Sequence, residues 1–199
     1  FSVGRPSKPI ISKSSAARAA LAVIDEQGID GLSLQRVAKE LGVKAPSLYY
    51  HFKNKAELLA EVARRILKDA EVPDLEQYDN WREAQISLAL ATRASILKHP
   101  KAAPLLLQFF PRHLMLAAYN TWTGRFDVPL NQRMVIIEGV EKLTFGSALL
   151  GAMSRGAGTP PMPDFDAEQF PDLAASMAAD PHSEAEMFEE TLRKFLYAF

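Results

Sequence analysis

Apolar residues recur at three- and four-residue spacings along almost the whole chain, and nowhere do they alternate as in a half-buried strand. A first helix is expected from Lys13, with Ala17, Ala20, Leu21 and Ile24 on one side and Gly28 as its stop. Ser33 is a good N-cap for a second, two-turn stripe of Leu34, Val37, Ala38 and Leu41 that ends at Gly42. The stretch Ala45 to Phe52 restarts with Pro46, tolerated only in a first helical turn, and has Leu48 as its one aliphatic anchor. Asn54 with Glu57 reads as a capping box opening a helix through Leu58, Leu59, Val62 and Ile66. After a break at Asp74 to Asn80, helices are expected from Trp81 to His99, from Lys101 to Phe110 and from Arg112 to Thr123. Asn131 is expected to cap a long helix through Val135, Ile136, Val140, Leu143, Leu149 and Leu150. Gly156 to Pro171 reads as a loop, and Ser183 with Glu186 opens a last helix carrying Phe188, Leu192, Phe195, Leu196 and Phe199. The fold class is therefore all-α.

Composition narrows the chemistry. The 199 residues are 48% apolar and contain no Cys, so disulfides and thiolate catalysis or thiolate metal sites are excluded, while enough apolar surface exists for a core. No apolar run reaches membrane-spanning length and the first residues do not read as a signal peptide, so a cytoplasmic protein without a membrane partner is expected. The net charge of −1 conceals a division. Residues 1–68 hold twelve Lys or Arg against six Asp or Glu, and residues 69–199 hold eleven against eighteen. Such a basic end fused to an acidic remainder suits one part that meets a polyanion and one that does not. Catalysis finds little support: there is no His-Glu-x-x-His, no Gly-rich phosphate loop and no Gly-x-Ser-x-Gly, so an enzyme is not expected.

Residues 33–52 have the layout of a helix-turn-helix: one helix held by its apolar stripe, a glycine turn, and a short helix crowded with Tyr49, Tyr50 and His51 around a single anchor. With Gly28-Ile29-Asp30-Gly31 before it and Lys53-Asn54-Lys55 after it, this stretch resembles the DNA-binding domain of the TetR family of transcriptional regulators. The resemblance implies a flexible basic arm over 1–12, a three-helix DNA-binding domain over 13–60 and a larger helical ligand-binding and dimerisation domain over 61–199. It implies Ser33 and Lys55 on phosphates, Lys44, Ala45, Ser47 and Tyr49 at base edges or sugars, Pro46 on thymine methyls, and Tyr50 and His51 on the backbone of a double-stranded operator. Gln35 and Arg36 come next, Arg36 being either a guanine reader or a solvent-facing cation. Arg5, between Gly4 and Pro6, resembles a minor-groove arm.

In the remainder, the resemblance turns Leu88, Thr92, Leu106, Phe109, Trp122, Met134 and Ile137 toward a ligand pocket. Leu106 stands where the tetracycline-binding members of the family place a metal-binding His, so neither a metal nor another cofactor is expected and the effector should be hydrophobic or aromatic. No carboxylate occurs between Glu83 and Asp127, whereas Arg93, Lys98, Lys101, Arg112 and Arg125 do. Arg93 falls on an apolar helical face and needs a partner, for which Glu138 or Glu141 is preferred over a ligand carboxylate. His99 reads as a group favoured by a helix C-terminus, and Glu138 with Glu141 as a salt-bridge pair rather than half a metal site. A homodimer through Val140, Phe188, Leu192, Phe195, Leu196 and Phe199 is expected, with a repressor function.

Overall fold

The computed structural model describes residues 11–72, 74–110, 112–160 and 162–199, and these form ten α-helices, two single 3-10 turns and no strand. The first helix, α1 (Lys13–Gln27), opens on a reciprocal Ser12/Ser15 cap and closes at Gly28, whose φ of 77° disfavours any side chain. Its buried positions include Ala16, Ala17, Ala20 and Ile24, small enough for α4 (Lys55–Lys68) to lie close against it. Between them, α2 (Leu34–Glu40) and α3 (Ala45–Tyr49) meet at a turn where Gly42 has φ 66° and the Val43 N–H donates to Ala38 O at 2.9 Å.

The larger part of the chain consists of α5 (Trp81–Leu97), α6 (Leu105–Gln108), α7 (Leu116–Arg125), α8 (Leu130–Ala157), α9 (Pro171–Ala179) and α10 (Glu184–Leu196). Several boundaries depart from the pattern-based expectation. The piece expected over Lys101 to Phe110 is one turn long, because Pro104 starts it anew and the backbone has left helix at Phe109. Instead of a helix from Arg112, there is a 3-10 turn at Arg112–Leu114 followed by α7, which runs through Gly124 to Arg125. Asn131 does not cap α8; Pro129 does, without a side-chain hydrogen bond, and Asn131 is exposed in the first turn. In α9, opened by Pro171, no residue is buried, so no apolar stripe announces it; its alanines favour helix intrinsically.

Buried residues fall into two clusters. The first joins α1 to α4 with Ile96, Leu97, Ala102, Ala103, Leu105, Leu106, Ala148 and Ala152. An expected boundary after residue 60 thus falls inside α4, whose Val62, Ala63 and Ile66 continue the core of α1. The Ser95 hydroxyl donates to Ile66 O at 2.6 Å, His99 Nδ1 lies 2.7 Å from an Asp25 carboxylate oxygen, and Lys101 Nζ donates to Glu26 O at 2.8 Å. His99 therefore ties the turn after α5 to α1, in addition to standing at a helix end. The second cluster joins Trp81, Ile86, Trp122, Phe126, Ile136 and Ile137 to Phe188, Leu192 and Leu196.

Arg93, 5% exposed, is answered by neither Glu138 nor Glu141. Its partners are Glu184 at the start of α10 and the Ser147 hydroxyl at 2.8 Å, with the Phe188 ring 5.3 Å from the guanidinium carbon. Burial lowers the Arg93 pKa from its ordinary value, and the Glu184 carboxylate opposes that shift. Glu184 lies 91 residues away in sequence, on a helix whose docking no local pattern reveals. A Cβ at Gly151 would stand 2.5 Å from Glu184 Oε1, so the absent side chain leaves the carboxylate its path to Arg93. At the other end of α10, Glu83 accepts from Arg193 and from the Tyr197 hydroxyl, both at 2.6 Å, which holds its carboxyl below the usual value.

The Phe195 ring of α10 rests on Gly139 of α8: a Cβ there would stand 2.7 and 2.9 Å from the ring's two Cε atoms. Within a helix, Gly→Ala alone stabilises by about 1 kcal/mol, but overpacking a ring contact costs about 1–3 kcal/mol. Gly139→Ala is expected to lower stability by a net of up to ~2 kcal/mol in urea unfolding. Gly156→Ala, with nothing within 4 Å of the new atom, should leave it unchanged or higher.

Candidate nucleic-acid interface and buried cavity

A five-residue helix has no independent stability, so α3 stands because Leu48 is fully buried and Phe52, 1% exposed, folds in behind it. Its other residues point away from that core. Lys44, Pro46, Ser47, Tyr49 and Tyr50 are exposed, Tyr50 to 89%, while Ala45 and His51 are half-buried and the Tyr50 and His51 rings meet edge-on at 5.5 Å. Pro46 and the uncapped N-terminus leave the first amides of α3 without side-chain partners. The structure thus gathers Lys44 to His51 into one patch, most of it exposed, and the exposed Lys53 belongs beside them.

Ser33 and Lys55 lie at the ends of this unit but are occupied. The Ser33 hydroxyl accepts from Arg36 N at 3.2 Å as the cap of α2, and Lys55 Nζ donates to Ile29 O at 3.1 Å, leaving other ammonium protons free. Gln35 is exposed on the first turn of α2. Arg36 neither projects as a free reader nor faces solvent alone: its guanidinium donates to Gly31 O at 2.8 Å and to the Gln27 amide oxygen, bracing the turn between α1 and α2. Arg5 lies outside the described residues.

In the larger part, α4, α5, α7 and α8 line a partly open cavity of about 420 Å³. Leu88, Thr92, Trp122 and Ile137 line it, as does Val140, whose 8% exposure turns it inward rather than toward a second chain. Three residues expected there are elsewhere. Leu106 is packed in the first core cluster, Met134 is 52% exposed outside the cavity, and Phe109 lines a second, open cleft of about 610 Å³ with Tyr49 and His51. Gln85, Tyr119, Glu141 and Thr144 also line the cavity, and sequence reasoning did not select them. The available signal was a polar residue on an apolar stripe, Thr144 between Val140 and Ala148, and Gln85 beside Ile86 and Ala89.

Glu141 accepts from the Tyr119 hydroxyl and from Arg112 Nη2 at 2.8 Å, while Arg112 Nη1 reaches Glu138 at 2.9 Å. Burial and the adjacent carboxylate raise the Tyr119 pKa, keeping the hydroxyl a neutral donor. Among the described residues, no group of His, Asp and Glu is placed to hold a metal ion, and no helix is long and apolar enough to cross a membrane. Phe110 and Arg64 border both cavity and cleft, with the Phe110 ring edge-on to Phe145 at 4.8 Å.

Of the residues expected between two chains, Phe188, Leu192 and Leu196 are buried within their own chain. Phe195 and Phe199 are half-buried and meet edge-on at 5.3 Å. Unburied apolar side chains of α8 lie elsewhere: besides Leu130 and Met134 in its first turns, Val135, Leu150 and Met153 are 52%, 68% and 66% exposed. Val135, Leu150 and Met153 fall with Gly146 within an arc of about 60° on the helix. Met187 on α10 is 48% exposed.

Fold and patch together define a helix-turn-helix protein whose helix-turn-helix is carried on a larger helical body containing a cavity. Residues 17–62 match the family of bacterial regulatory proteins called the tetR family. The tetracycline repressor protein class A from transposon 1721 of Escherichia coli is 34% identical over 94 residues, a match covering 47% of this chain and 44% of that one. Among solved structures, TetR from Acinetobacter baumannii AYE superposes with a TM-score of 0.75 at 23% identity, covering 95% of this chain and 96% of the other. BioQ with its double-stranded DNA operator gives 0.63 at 23% identity, over 95% of this chain and 99% of that one. The likeness to the tetR family is carried by residues 17–62, and beyond them the chain shares an all-helical fold with these solved structures over nearly its whole length.

The division of labour inside α3 can be measured directly. Leu48→Ala should cost ~2–5 kcal/mol of stability, as deletion of a fully buried aliphatic group does. Tyr50→Ala should stay within about 0.5 kcal/mol, being a surface change; chemical unfolding of the two variants checks both.

Proposed function

We propose that this protein is a ligand-responsive DNA-binding regulator, a repressor that holds a palindromic operator as a homodimer and lets go when a small hydrophobic or aromatic molecule enters the cavity. The observation that carries the DNA-binding part is α3, a helix with one buried side chain and an exposed row from Lys44 to Tyr50. Such a helix is suited to enter a major groove N-terminus first, with Lys44, Ala45, Pro46, Ser47 and Tyr49 at the bases and Tyr50, His51, Lys53 and Lys55 on the backbone. Ser33 holds register beside a phosphate, and Gln35 stands next to it. Arg5 is assigned the adjacent minor groove by the same reading.

A dimer is required because two reading helices must enter successive major grooves about 34–36 Å apart. The arc of Val135, Gly146, Leu150 and Met153 on α8, flanked by Met187, Phe195 and Phe199, is the surface that supports this reading. Release needs a ligand that prefers the arrangement unable to bind DNA. Phe110 and Arg64 support such coupling, since a ligand that moves them in the cavity also moves the wall of the cleft beside Tyr49 and His51. The His99–Asp25 and Lys101–Glu26 contacts carry the same displacement to α1.

Selection of bound fragments from a genomic library, followed by gel shift on the enriched palindrome, tests the reading; failure to enrich any palindrome overturns it. Tyr49→Ala should weaken binding to that palindrome by ~1–3 kcal/mol with the fold intact. Leu150→Glu, a change at an exposed site, should shift sedimentation from dimer to monomer and weaken operator binding together; a variant that stays dimeric places the interface elsewhere.

A further inference from the structure

The charged residues in the cavity wall are Arg64, Lys68 and Glu141. Glu141 takes the Tyr119 hydroxyl and Arg112, and Arg64 is held by Glu61 with Nε at 2.9 Å. The two half-buried charges of the wall, Arg64 and Glu141, are thus paired, and Lys68, for which no ion pair is found among the described residues, is exposed on α4. Two neutral polar side chains are unanswered. Thr144 on α8 is 3% exposed and its hydroxyl has no hydrogen-bond partner. Gln85 on α5 is 5% exposed, and among the described residues its side-chain amide enters no hydrogen bond.

Thr92, Thr121 and Thr191 each turn the hydroxyl onto the carbonyl four residues back, at 2.8, 3.0 and 2.8 Å, the ordinary choice in a helix. Thr144 does not. A hydroxyl buried without a partner in a largely apolar wall is costly, a ligand that supplies the partner removes that cost, and the nearby Gln85 amide offers the same ligand a donor and an acceptor. A charged ligand would lose its hydration with no buried, unpaired counter-charge to meet it, the exposed Lys68 being itself hydrated.

We infer that the molecule taken by this cavity is neutral, of roughly two or three fused rings as the volume allows, and that it presents a hydroxyl or carbonyl group to Thr144 and Gln85. This rests on the reading of the cavity as the effector site. A site built around buried hydrogen-bonding groups rejects the analogue that lacks them far more strongly than an apolar pocket rejects a misfit.

Four probes of one ring system test it: 2-naphthol, naphthalene, 2-naphthoate and the 2-naphthylmethylammonium ion, titrated at neutral pH and followed by the fluorescence of Trp122, which lines the cavity. The expected result is at least tenfold tighter binding of 2-naphthol than of the other three. Thr144→Val and Gln85→Leu, both close in shape to the native residues, should each reduce that preference at least threefold while naphthalene binds as before, which also shows that the variants are folded. Equal or tighter binding of either ion, or a naphthol preference untouched by both substitutions, overturns the neutral hydrogen-bonded ligand but leaves the cavity as a ligand site. Absence of binding by all four overturns the ligand-site reading along with it.

Discussion

The helical body depends on one buried guanidinium. Arg93 sits where α5, α8 and α10 converge, and an arginine there must be met by charge and by hydrogen bonds or the helices cannot close over it. Glu184 supplies the charge, Ser147 an acceptor and Phe188 a ring face. Because Glu184 is also in the first turn of α10, beside the Ser183 cap, the pair fixes both the start of that helix and its position on α8. Gly151 is part of the same arrangement, since a side chain there would occupy the carboxylate's path. Gly139 does the corresponding service for Phe195 at the far end, so two glycines of α8 set how closely α10 approaches.

With α10 held in this way, α8 has two separate sides. One contributes Ile137, Val140, Glu141 and Thr144 to the cavity, and another leaves Val135, Leu150 and Met153 uncovered. The cavity persists because its neighbours are already committed to each other: Trp81 packs on Phe126 at 4.7 Å, and Phe126 on Trp122 at 6.2 Å. At the opposite wall, α4 belongs at once to the core of the reading unit, through Leu58, Val62 and Ile66, and to the cavity, through Arg64 and Leu67. The two halves of the chain are therefore joined by a helix they share rather than by a linker, which is the mechanical condition for one to affect the other.

Local chemistry made the reading unit legible. Caps at Ser33 and Asn54, the glycine stops at 28 and 42, and the single anchor Leu48 are short-range signals, and each acts within a turn or two of the chain. Elsewhere the local signals were weaker: the stretch 101–125 breaks into pieces whose lengths depend on Pro104 and on contacts with α8, and α9 has no amphipathic stripe to reveal it.

By itself, the sequence determined the all-helical class, the helix-turn-helix and which of its residues stay outside the core, since burial in a short helix follows from its own apolar spacing. Only the tertiary structure decided which cation meets which acceptor. Arg93 pairs with Glu184, Arg36 folds back onto Gly31, and Lys55 reaches Ile29, all choices among charged or polar groups far apart or on turning backbone. It also decided which apolar residues face a cavity, a core or solvent: Leu106, Met134 and Phe109 have similar hydrophobicity and three different surroundings. The physical reason is that a periodic stripe says that a helix face is covered, but what covers it depends on the rotation and crossing of long helices, and these are fixed by distant side chains such as Glu184 and Phe195.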